Sequence, residues 1–88
     1  MLGTNFPISE YYRDNIRDAV TISRGGGWWT AAVLIEDPKN GELFVNLYTW
    51  QHVEDAWKMR KSFTIRSQKA LRSITEALKG FETKLPLT

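Results

Sequence analysis

The chain opens with a stretch whose polar and apolar positions do not settle into one period. Gly3 and Pro7 interrupt residues 1–8, and SEYYRDNIRD (9–18) fits two forms. One is a short helix capped by Ser9, with Tyr12 and Ile16 on one face; the other is an extended lead-in. From residue 18 the pattern alternates. DAVTISR places Val20 and Ile22 on one side and Thr21 and Ser23 on the other, which predicts a half-buried strand that ends at the glycines Gly25 to Gly27. WWTAAVLIE (28–36) predicts a second strand, with Trp29, Ala31, Val33 and Ile35 forming a wholly apolar, core-facing side. DPKNG (37–41) carries turn chemistry. ELFVNLYTW (42–50) predicts a third strand with two unlike faces: Leu43, Val45 and Leu47 suit a core, whereas Phe44, Asn46, Tyr48 and Trp50 form an aromatic stripe broken by an amide. An amide in a core must find partners, so the second face is read as the open one.

Residues 51–61 read as a charged connection, and SFTI (62–65) as a short fourth strand with Phe63 and Ile65 inward. Ser67 suits an N-cap, and Ala70, Leu71, Ile74, Ala77 and Leu78 form a helical apolar stripe over 68–79, with Gly80 as the stop. The expectation is an α+β domain of order β-β-β-β-α. Residues 1–16 form an N-terminal segment, 17–80 the domain and 81–88 a tail.

Length and composition sharpen this. At 88 residues without cysteine, one domain is expected, with neither disulfides nor thiolate metal sites. A domain of this size often gains its missing burial by association, so a homodimer is expected. No leader or membrane-length apolar run is read in the sequence, which points to an intracellular protein, cytoplasmic or nucleoid-associated, or nuclear in a eukaryote.

The net charge of +2 conceals an asymmetry. Residues 1–57 carry four cations against eight carboxylates, a balance of −4; residues 58–79 carry seven cations against Glu76 alone, a balance of +6. Such a segment calls for an anionic partner or forms a solvated basic face.

No catalytic constellation is found. His52, Glu54 and Asp55 lack a ligand spacing, so no metal is expected, and no cofactor either. Glu36 and Asp37 suit a solvated turn, and Ser23 has no matching base. SRGGGW lacks the lysine of a phosphate-binding loop and reads as a hairpin turn. The remaining signal is aromatic side chains beside cations, the combination that holds single-stranded nucleic acid by stacking and phosphate contact. Trp50, beside Asn46, is the ring assigned to ligand; Trp29 is assigned to the core, and Trp57 is divided between the two.

The segments SRGGGWWT, FVNLYTW and KMRKSFTIRSQKALRSI, spanning roughly 17–79, resemble the Positive Cofactor Four family of single-stranded-DNA-binding transcriptional coactivators. The resemblance implies a curved antiparallel sheet and a homodimer formed through the helices, with Leu71, Ile74 and Leu78 at the interface. It implies Trp50 as a stacking ring, Lys58 and Lys61 as a basic loop, and Arg24, Trp28 and Arg17 as contacts near the first hairpin. With Asn46, Tyr48 and Arg60 from the reading of the residues, these form the expected nucleic-acid site. The expected function is sequence-tolerant single-stranded DNA binding in transcription, replication or repair, without catalysis. The alternatives are RNA binding and a protein–protein adaptor using the aromatic face.

Overall fold

A computed structural model describes residues 6–87. Four strands, β1 (Ile16–Gly25), β2 (Trp28–Glu36), β3 (Leu43–Val53) and β4 (Ala56–Ile65), form an open antiparallel sheet in chain order. A four-residue helix α1 (Glu10–Arg13) precedes the sheet and a longer helix α2 (Gln68–Phe81) follows it. The α+β order of four strands and a C-terminal helix is as expected. The Ser9 side chain accepts from the Tyr11 N–H to cap α1, and Ser67 accepts from the Ala70 N–H to cap α2. Gly80 does not stop the helix but lies within it.

Two hairpin tips lie at one end of the sheet. Gly25 pairs with Trp28 across Gly26 and Gly27, whose positive φ angles of 59° and 82° suit a two-residue turn that glycine adopts at little steric cost. At the second tip Val53 pairs with Ala56 across Glu54 and Asp55, with φ of 50° and 65°. The expected loop over 51–61 is therefore two long strand arms and a two-residue turn. Charge hid this from the sequence: Lys58, Arg60 and Lys61 interrupt the apolar alternation of β4.

Register decides which residues form the core. Trp29 pairs with Trp50, Ala31 with Tyr48, Val33 with Asn46 and Ile35 with Phe44. The apolar side of β2 and the aromatic stripe of β3 thus share one face, which is covered by the N-terminal segment. Phe6 and Ile8 are buried on it, and Tyr12 packs against it. Phe6 stacks on Trp29 at 5.1 Å between ring centres, and the Trp50 indole N–H donates to the Pro7 carbonyl at 3.1 Å.

The opposite face runs through Val20, Ala32, Leu47 and Phe63 and remains open; Val20 is 61 % and Phe63 54 % exposed. Helix α2 buries none of its residues, and Leu71, Leu78 and Phe81 stand exposed.

Candidate functional site

The core face overturns part of the expected site. Trp50 is fully buried, and Tyr48 and Asn46 are buried beside it. In this conformation none of the three offers a surface to a ligand. The reason lies in how Asn46 is satisfied. Its amide nitrogen donates to the Tyr48 hydroxyl at 2.8 Å, and its carbonyl oxygen accepts from the Thr64 hydroxyl. Two neighbours supply what the interior otherwise withholds, so the amide sits in the core at little cost. Burial pushes the Tyr48 phenol above its ordinary value; the Asn46 hydrogen bond opposes this in part, and Tyr12 adds to it.

Arg17 is also displaced from the group. It lies at the far end of β1, where its Nε meets Glu36 at 3.2 Å. Its role is an exposed ion pair at the end of the sheet opposite the hairpin tips.

The other expected residues converge at the tips. Across the open face the register sets Gly25, Trp28, Gln51 and Lys58 in one row, and Ser23, Thr30, Thr49 and Lys61 in the next. Trp28 is 45 % exposed. A bulge in β4 shapes the cationic set. Thr49 pairs with Lys61 but Trp50 with Met59, which leaves Arg60 as the extra residue. Were residues 58–61 paired regularly, Lys61 would face opposite Lys58; the bulge turns both to the open face. The Arg60 Nε donates to Gln51 Oε1 at 3.0 Å, drawing the guanidinium toward the same row. Three cations and one exposed indole thus share a small area.

On the core-side face of the same end, beyond the N-terminal cover, Arg24, Gly25, Gly27, His52 and Trp57 line an open concavity of about 420 Å³. Trp57 is half-buried against Trp29, with ring centres 5.5 Å apart. His52 pairs directly with Trp57 across the hairpin, and their rings meet edge to face at 5.0 Å. By residue type alone Trp57 is divided between core and ligand, and His52 belongs only to a metal set without ligand spacing. Their joint position depends on the tight tip at 54–55, whose residue types do not announce a turn.

Among the described residues no group of three or more His, Asp or Glu side chains is placed to hold a metal ion. Among the described residues no helix is long and apolar enough to cross a membrane. Compared with family models, curated proteins and solved structures, the chain shows no match.

Proposed function

We propose that the protein is a sequence-tolerant single-stranded DNA-binding protein that acts as a homodimer at melted DNA, in transcription, replication or repair. The observation that carries the reading is the shared end of the two hairpins, where Trp28 lies in register with Lys58 beside Arg60 and Lys61. An exposed indole offers a π-face to an unpaired base, worth about 1–3 kcal/mol per stacked base, and every base has such a face. Lysines and an arginine beside it take the phosphates and release counterions. Duplex DNA hides its base faces, so this combination favours single strands.

Support for the homodimer comes from the open apolar face and from α2. A 14-residue helix with exposed apolar side chains is marginal without tertiary packing. A second copy supplies that packing for both surfaces, leaving the hairpin tips free.

The test is a fluorescence titration with a short oligothymidine, with a duplex of equal length and a matched RNA as controls, across a range of salt. Quenching by the single strand, weak response to duplex and falling affinity with salt are expected. Lys58→Ala with Lys61→Ala should flatten the log–log salt slope by roughly 1.4 per protomer, about 0.7 for each phosphate that a lysine no longer neutralises. An unchanged slope would remove these lysines from the site. Equal or tighter RNA binding would move the function to RNA, and no binding at low salt would end the nucleic-acid reading.

A further inference from the structure

The concavity on the core-side face differs in kind from the lysine row behind it. Arg24 neighbours Trp29 in the ladder, and its guanidinium carbon lies 4.1 Å from the Trp29 ring centre and 5.3 Å from that of Trp57. Packing against two indoles holds the planar cation in place by attraction to the ring faces. That arrangement uses none of the five N–H donors, which point outward from the guanidinium edge. Arg13, Arg17 and Arg60 spend theirs on the Ile8 carbonyl, Glu36 and Gln51, whereas Arg66, which packs on Phe44 at 4.7 Å, resembles Arg24 but lies away from the hairpin tips. Among the described residues Arg24 donates to no protein acceptor and has no carboxylate within ion-pair distance. A guanidinium so placed is a ready fork for an oxyanion.

The walls of the concavity define the rest of the ligand. His52 is exposed, with its ring against Trp57, and the two form an aromatic corner. The floor is fixed, because the His52 backbone N–H donates to the Gly27 carbonyl at 2.8 Å and ties the second hairpin to the tip of the first. The concavity is shallow and open to solvent, so a ligand there is held from one side.

We propose that this concavity holds a single nucleotide, with its phosphate on the Arg24 fork and its base against the rings of His52 and Trp57. The inference rests on the nucleic-acid reading of the same hairpin end and gives it a second point of attachment, on the opposite face of the sheet from Lys58 and Lys61. The ligand class is a nucleoside monophosphate unit, either one link of a strand or a free nucleotide.

The test follows the His52 ring and Trp57 indole signals by NMR while the full chain is titrated with thymidine monophosphate, thymidine, deoxyribose phosphate and, separately, a short oligothymidine. The monophosphate should bind more tightly than either half alone and shift both residues. Arg24→Gln should weaken its binding at least about tenfold, the loss of one charge-assisted hydrogen bond, and leave thymidine unchanged. Arg24→Lys, which keeps the charge without the fork, should fall between, with thermal melts confirming that both variants fold. His52→Ala should weaken thymidine and monophosphate together.

If oligothymidine shifts the same signals, the nucleotide is part of a strand; if only the monophosphate does, the site takes free nucleotide. Silent His52 and Trp57 signals while the oligomer still binds would overturn the site and leave the broader function standing. Monophosphate binding without oligomer binding would do the reverse. Silence toward every ligand would end both.

Discussion

Trp28 and Trp50 are the same residue type near the same end of one sheet, yet their roles separate. Trp50 is fully buried, with its N–H on the Pro7 carbonyl and its ring 4.9 Å from that of Trp29. Trp50→Ala should cost about 3–5 kcal/mol of stability, the range for emptying a large aromatic from a core. Trp28→Ala should leave the melting temperature almost unmoved and weaken single-strand binding by at least about fivefold, the low end of one stacked base. Thermal melts and titrations of both variants check the pair; the reverse assignment would place the ligand under the N-terminal segment. Tyr48 adds a pH dependence. Because burial raises its folded value, the native phenol stays neutral where the unfolded chain has begun to ionise. The stability this provides is intact below about pH 10, the ordinary tyrosine value, and is lost as pH rises through the folded value. Tyr48→Phe lacks that titration but leaves the Asn46 amide without its acceptor. The wild-type advantage in melting temperature should therefore be present at neutral pH and shrink above about pH 10.

Among the elements, the β3–β4 tip is the one in conflict with its residue types. Glu54 and Asp55 both sit at positive φ, which suits glycine and asparagine, is tolerated by aspartate and strains glutamate. Glu54→Asn with Asp55→Gly, the pair that suits such a turn, should stabilise the chain by about 1 kcal/mol or more. It also removes two carboxylates beside the basic rows, so single-strand affinity at low salt should rise. Chemical denaturation and a salt series read the two effects separately. The same tip explains much of what the sequence did and did not disclose. β2 was legible because its alternation is uninterrupted, and α2 because its stripe and Ser67 cap are local signals. The facing of β3 was not. The reading turned Leu43, Val45 and Leu47 inward while also burying Trp29, Val33 and Ile35, yet the turn at 37–42 sets Ile35 opposite Phe44, so the two sets face opposite ways. A one-residue difference in that turn reverses every side chain of β3, and strand alternation alone does not fix it. Of the site, Arg24, Trp28, Lys58, Arg60 and Lys61 were legible as residue types, whereas the His52–Trp57 corner required the register.

At the scale of the whole molecule, the N-terminal segment covers the middle of one face, and the other is left open, basic at the hairpin tips and apolar toward Val20, Leu47 and Phe63. If a second copy covers the apolar end of that face and α2, folding and association are linked, and the melting temperature should rise with protein concentration. Leu71→Glu with Leu78→Glu should shift the chain to monomer in analytical ultracentrifugation and abolish that rise. A wild-type monomer whose melting temperature is the same at every concentration would remove the dimer.

The bulges carry a different consequence. Register shifts leave Arg17 and Ile22 in β1 and Arg60 in β4 as extra residues, while β2 and β3 pair without interruption. All three irregularities thus fall on the outer strands, whose free edges would otherwise recruit strands from neighbouring molecules. Each interrupts the row of unpaired backbone groups on an edge, and two place an arginine there. Deleting any one would leave the remaining pairs in step and the sheet closer to ideal, but would also lengthen a straight edge open to polymerisation. In this chain the departures from regular pairing should therefore oppose fibre growth.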